Sequence, residues 1–124
     1  MTRLELPHPP TLNTYYRNIT DTRGHPRTLL SKKARDYRKE VNARVWEAGR
    51  PKHGKNRLHV VISIHPPDRR RRDIDNLTKS VLDSLEHANV FDDDSQVDEL
   101  TIRRLENTPQ GAAIVTITNI SEES

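Results

Sequence analysis

Four consecutive arginines, Arg69 to Arg72, run directly into two aspartates spaced by one residue, Asp73 and Asp75, with Asn76 and Lys79 close behind. Guanidinium groups stay ionised and fork onto phosphate oxygens, so the run suits a polyanion. Asp73 and Asp75 would repel that polyanion. A divalent cation on the carboxylates reconciles the two charges, because Mg²⁺ is typically held by one or two carboxylates together with substrate phosphates. Phosphodiester cleavage is the chemistry this stretch outlines. A further acidic cluster, Asp92-Asp93-Asp94, follows the same segment before a run of strand-like residues. Each aspartate also has a structural use: Asp73 suits the N-cap of a helix beginning near Ile74, Asp75 suits the positive end of its dipole, and Asp75 with Lys79 is an i,i+4 pair. An arginine run by itself is also the composition of a solvated segment.

The elements that must position these groups are legible from periodicity. Residues 3 to 6 alternate polar and apolar and predict a short strand ended by Pro7. A long connection without regular structure is expected from Pro7 to about Leu30, carrying Asn13, Tyr16, Arg17, Arg23 and Arg27, a mixture suited to a phosphate backbone. Ser31 is placed to cap a helix running to about Ala48, with Ala34, Tyr37, Val41 and Val45 on its apolar stripe and Lys32, Lys33, Arg35, Arg38, Lys39 and Arg44 elsewhere. Trp46 sits at the edge of that stripe, placed for the core or for a dimer contact. Leu58, Val60, Ile62 and Ile64 alternate with His59, Val61, Ser63 and His65, which predicts a strand with one buried face that delivers the arginine run. His59 and His65, sharing a face without a third ligand, fit surface or packing positions better than a metal site.

A second helix follows, with Ile74, Leu77, Val81, Leu82, Leu85 and Ala88 on one side. Strands are expected from about Val97 to Leu105 and again around Ala113 to Ile117, joined as a hairpin through Asn107 to Gly111. The predicted fold is α+β: a mixed β-sheet in β-α-β-α-β-β order with helices packed against it. The strand-helix-strand units favour parallel neighbours, and the final hairpin is antiparallel.

Two long motifs in this order, Pro67-Asp-Arg-Arg-Arg-Arg-Asp-Ile-Asp-Asn-Leu77 and Phe91-Asp-Asp-Asp-Ser-Gln-Val97, resemble the signature of the RusA family of Holliday junction resolvases. Pro9-Pro-Thr-Leu-Asn-Thr-Tyr-Tyr-Arg17 is similar to the family's amino-terminal motif, so the likeness touches most of the chain. The resemblance implies an endonuclease dependent on Mg²⁺, with Mn²⁺ as a substitute, that acts as a homodimer and cuts two opposed strands of a four-way DNA junction. Its catalytic and metal-binding acids fall on Asp73, Asp75 and Asp94, its lysine on Lys79 and the arginine beside the acids on Arg72. Asn76 also matches, while Asp92 adds an acid, so that Asp93 is a substitute for Asp94. Arg69, Arg70, Arg71, Arg72, Asn76, Asn13, Tyr16 and Arg17 are the expected DNA contacts. A helix from Asn76 to Ala88 advances about 20 Å, and the return from Asn89 to Asp94 spans at most about 20 Å, so Asp94 is expected to reach the other acids within one chain.

Composition bounds the rest. The 124 residues are expected to form one domain with a polar tail over 121–124, and a hydrophobic content of 31% suggests that some apolar surface is shared with a second copy. Lys and Arg number 21 against 18 Asp and Glu, giving +3 and a lean towards an anionic partner. With no cysteine, disulfides, zinc-thiolate sites and thiol catalysis are excluded. No signal-like apolar run occurs, so a cytoplasmic protein without membrane association or small-molecule cofactor is expected. Two rivals remain open: a less selective Mg²⁺ nuclease for branches and flaps, and a non-catalytic nucleic-acid-binding module whose aspartates only cap and pair.

Overall fold

The computed structural model describes residues 1–122; the last residues of the expected polar tail, 123 and 124, lie outside the described residues. In chain order the elements are β1 (Thr2–Leu6), α1 (Leu12–Tyr15), β2 (Tyr16–Thr20), β3 (Pro26–Leu30), α2 (Lys32–Glu47), β4 (Leu58–His65), α3 (Asp75–His87), a 3₁₀ turn (Asp94–Gln96), β5 (Val97–Arg104), β6 (Ala112–Asn119) and a final 3₁₀ turn (Ile120–Glu122). A mixed sheet of order β1-β6-β4-β5 carries α2 and α3 on one face, which is the expected α+β architecture. Alternation drives the burial. Leu58, Val60, Ile62 and Ile64 of β4, with Val115 and Ile117 of β6, pack against Tyr37, Val41 and Val45 of α2 and Leu77, Val81 and Leu85 of α3. Ser31 caps α2 as expected, its hydroxyl accepting from the Ala34 N–H at 3.1 Å. None of the described helices is long and apolar enough to cross a membrane.

Two expectations fail, for identifiable reasons. The connection from Pro7 to Leu30 is not irregular: Thr11 caps the single turn of α1, and β2 and β3 form an antiparallel hairpin turned at Asp21, whose carboxylate accepts from the Arg23 and His25 N–H groups, each at 2.9 Å. Most of that hairpin is exposed on both faces, so it lacks the apolar alternation that marks a strand in sequence. The second failure is the terminal pairing. β4 is parallel to β5, as a crossover favours, but β6 pairs with β4 and β1, and β5 is not its neighbour in the sheet. A strand as uniformly apolar on its inner face as β4 is a central strand that needs neighbours on both edges, and β6 takes the second edge. Residues 105–111 therefore cross the end of β4, tied by Leu105 N–H to the Ile64 carbonyl at 2.8 Å and Thr108 N–H to the Pro66 carbonyl at 3.0 Å.

That crossing ends at Gly111, whose φ is +71°. A Cβ there would stand 2.9 Å from the His65 carbonyl oxygen, 2.9 Å from His8 Cβ and 3.0 Å from Pro67 Cδ. Left-handed backbone and crowding act together at the point where β4 passes into the arginine loop. Gly111→Ala is expected to lose about 2 to 3 kcal/mol, read as a lower urea midpoint at unchanged slope. A midpoint equal to wild type would show that the crossing relaxes freely.

Trp46, placed by sequence at a stripe edge, is not core: it is 57% exposed, with the Arg50 guanidinium 4.2 Å from its ring centroid. His59 and His65 share the open face of the sheet, with Glu99 and Glu106 carboxylates 3.8 Å from their respective rings.

Candidate active site

Pro66 and Pro67 stop β4, and residues 66–74 continue as an irregular loop into α3. Asp68 organises this loop. It accepts from the Arg70 N–H at 2.9 Å and takes both terminal nitrogens of Arg72, at 2.7 and 3.2 Å. The Arg72 guanidinium, first, and the Arg70 N–H hold the Asp68 carboxyl down to about 2. Arg72 is thereby fixed as part of the wall, whereas Arg69, Arg70 and Arg71 are exposed and the side chains of Arg69 and Arg71 have no hydrogen bond or ion pair among the described residues.

The capping role open to Asp73 is not taken. The residue flanking α3 is Ile74, which makes no side-chain cap, and Asp73 contributes only its backbone carbonyl, to the Asn76 N–H at 3.2 Å. Nor does Asp75 pair with Lys79, because Lys79 Nζ donates to Asp94 at 3.0 Å. Both aspartates are exposed, their side chains without a hydrogen bond or ion pair among the described residues, and they line one open cavity of about 410 Å³ with Arg71, Arg72, Ile74 and Arg104. Carboxylates held beside three guanidiniums yet bonded to none of them are groups left for a ligand, and an all-oxygen donor pair is what a hard divalent cation takes.

Asp94 is brought back to α3 of its own chain. Asn89, with φ of +63°, ends the helix, and Val90 N–H returns to the Leu85 carbonyl at 3.0 Å. The chain then turns through buried Phe91 into a capping box, in which Asp93 accepts from Ser95 N–H at 2.8 Å and Gln96 Oε1 accepts from the Asp92 and Asp93 N–H groups, each at 2.8 Å. The bond from the Ser95 N–H, above all, lowers the Asp93 carboxyl. Glu86 accepts from the Asp94 N–H at 2.9 Å, and one oxygen each of Glu86, Asp93 and Asp94 lie within 4.8 Å of one another. Of the expected acids, then, Asp73 and Asp75 share a cavity, while Asp94 lies apart from its lining, with Glu86 and Asp93, joined to α3 through Lys79. The bond to Asp94 raises the Lys79 ammonium above the usual lysine value against the opposing effect of burial, and Tyr16 and Asp83 add to it.

Behind Lys79 lies a network that sequence reasoning missed. Tyr15, fully buried, donates to Asp83; Arg38 donates to both the Tyr15 hydroxyl and Asp83. It locks α1, α2 and α3 together one turn beyond Lys79. Burial pushes the Asp83 carboxyl up, but the bonds from Tyr15 and Arg38 outweigh it and leave the group below its usual value. With the Asp83 and Arg38 side chains only 16% and 20% exposed, Asp83→Ala is expected to cost about 3 kcal/mol by stranding Arg38. A folded value below the unfolded one means the stabilisation is complete above about pH 4 and is lost as pH falls through the folded value. The gap between wild type and variant in urea melts should therefore hold from neutral pH to about 4 and narrow below it.

Arg104 was also missed. Its guanidinium donates to the Arg72 carbonyl and lines the same cavity as the aspartates. The parallel pairing of β4 with β5 sets Ile64 opposite Arg104, so any basic residue ending β5 stands beside the loop that leaves β4. Of the remaining expected contacts, Asn13 and Arg17 are exposed, Tyr16 is half-buried against Tyr15 at 5.1 Å between centroids, and Asn76 is half-buried in the first turn of α3.

Residues 7–118 match the family model described as Endodeoxyribonuclease RusA. The chain is 37% identical over 115 residues to the crossover junction endodeoxyribonuclease of Enterobacteria phage HK97, covering 93% of this chain and 92% of that one. It is 36% identical over 120 residues to the RusA protein of Shigella sonnei and 37% over 121 to that of Enterobacteria phage 82, in both cases covering 97% of this chain and 96% of the other. A match of this extent, on a chain whose two motifs meet around the first turns of α3, places the protein in the RusA family of endodeoxyribonucleases.

Proposed function

We propose that the chain is a Mg²⁺-dependent endonuclease that acts as a homodimer and resolves four-way DNA junctions by paired nicks in opposed strands. The observation that carries this reading is the pair of unpartnered carboxylates, Asp73 and Asp75, at the foot of a helix whose next turn presents Lys79 to Asp94. A module that only bound nucleic acid would have its aspartates capping or pairing, and these do neither.

Asp73, Asp75 and Asp94 would hold the cation, with Asp93 as the substitute acid. When bound, it supplies activation of water and charge neutralisation at the leaving oxygen. The chain's own residues do the rest. Arg69, Arg70 and Arg71, exposed beside the cavity, neutralise the backbone on either side of the scissile phosphate without reading bases. Arg72 and Arg104, bonded into the wall, keep that cavity positive at fixed geometry. Lys79, a compact cation, stabilises charge that develops only in the transition state. Asn76, Asn13, Tyr16 and Arg17 extend the contact surface past the helix start. A two-fold dimer offers one such site to each of two opposed strands.

The test is cleavage of an end-labelled four-way junction beside a flap and a linear duplex, with and without Mg²⁺. Symmetric nicks in the junction alone, and only with Mg²⁺, are expected. Equal cutting of the flap would overturn junction selectivity, and binding without cutting would overturn catalysis. Mixed dimers of Asp73→Asn and Asp94→Asn subunits should all be inactive, because the bond from Lys79 to Asp94 supports a site built within one chain.

A further inference from the structure

Helix α2 has two unlike flanks. On one, Lys33 lines a hollow of about 490 Å³ with Asp36, Tyr37, Glu40 and residues 7–10. The neighbouring cations there are paired within the helix, Lys32 with Asp36 at 2.9 Å and Arg44 with Glu40 at 3.3 Å. On the other flank a cavity of about 520 Å³ opens between α2 and the C-terminal end of α3, lined by Leu30, Arg35, Arg38, Lys39, Asn42 and His87, with no carboxylate in the lining. Arg35, Lys39 and Asn42 follow at i, i+4 and i+7, so the helix presents them as one row. Lys39 and His87 are exposed, with no hydrogen bond or ion pair among the described residues. Arg35 donates Nη1 to the Leu30 carbonyl at 2.8 Å, which leaves most of its fork unused, while Arg38 is balanced by Asp83.

We infer that this acid-free cavity is a second seat for DNA backbone phosphates, separate from the one at Asp73 and Asp75, with Arg35 and Lys39 as its phosphate contacts and Asn42 and His87 as its rim. It rests on the reading of the chain as a junction nuclease. Cations gathered in a concavity whose lining holds no carboxylate attract an anion, and Asp36, which acts on Arg35 and Lys39, lies outside that lining. The two seats lie on one track. Leu30, on the cavity rim, is the hairpin partner of Tyr16, and the adjacent Tyr15 donates to Asp83, one turn beyond Lys79. From Asp75 to His87, α3 advances about 18 Å. At roughly 3.4 Å per nucleotide along a strand, the second seat meets the backbone about five nucleotides from the cut. It therefore grips a junction arm, not the branch point.

Binding is measured by fluorescence anisotropy in EDTA, on a synthetic four-way junction over a range of salt. Removing one cation from a phosphate lowers the slope of log affinity against log salt by about one. Arg35→Gln/Lys39→Gln should lower it by about two and weaken binding more than about tenfold at 0.15 M salt. Lys39→Gln, which breaks no bond in the fold, should lower it by about one. Ethylation of phosphates about five nucleotides from the cut should impede the wild type and no longer impede the double variant. Lys33→Gln, on the opposite flank, serves as the control and should keep the wild-type slope. An unchanged slope in both cavity variants, or an equal decrease in Lys33→Gln, would overturn the site. A wild type that binds in EDTA but never cuts with Mg²⁺ would overturn the nuclease reading instead, with the slopes still reporting on the cavity.

Discussion

Asp73→Asn and Asp75→Asn should each slow cleavage of a four-way junction by at least about a thousandfold, while junction affinity holds or rises. Both carboxylates lie in the cavity with Arg71, Arg72 and Arg104, and neither is tied to any of them. Amidation removes a hard oxygen donor and one negative charge facing the DNA backbone, so chemistry and binding should move in opposite directions. Folding should be nearly untouched, because the fold draws no cap and no ion pair from either side chain. Single-turnover cleavage, anisotropy and a urea melt on the same preparation separate the three effects. Cleavage within about tenfold of wild type in either variant would refute the assignment.

The second large effect is Lys79→Ala, expected to lower the single-turnover rate about a hundredfold while changing affinity by no more than about threefold. Lys79 is one cation among many on the binding surface but the one that holds Asp94 to α3. The Lys79 and Asp94 side chains are 43% and 35% exposed, so losing the pair should cost less than about 1 kcal/mol of stability. Lys79→Arg keeps the charge and changes its shape. Partial recovery there, with none in Lys79→Gln, would mark a role through charge. A rate for Lys79→Ala within about twofold of wild type would reduce the residue to a surface partner of Asp94.

What the sequence disclosed follows from how each element is stabilised. β4, α2 and α3 bury a continuous face, so their periods of 2 and 3.6 are written in Leu58 to Ile64, Ala34 to Val45 and Leu77 to Leu85. The β2–β3 hairpin buries almost nothing and left no such trace. The place of β6 was hidden because pairing with β4 or with β5 demands the same alternation from Ala113, Val115 and Ile117, and what decides is the long-range demand of β4 for a second neighbour. At the site, the run from Arg69 to Asp75 and the acids at 92 to 94 stood out by charge. Glu86, Asp83 and Arg104 did not, since each is an ordinary surface residue until helix packing or parallel strand pairing sets it beside the others.

The strand order β1-β6-β4-β5 makes β6, the last strand among the described residues, an interior one, flanked by β1 and by β4. During synthesis β1 has no strand partner among the described residues until residues 113 to 117 emerge, and the β6 edge of β4 stays open for the same interval. Contacts between such distant parts of a chain form late. A ribosome-bound fragment that already displays the arginines and aspartates would lack the sheet that orients them. The cutting activity thus waits for β6, and a chain truncated before that strand should fail to assemble the nuclease.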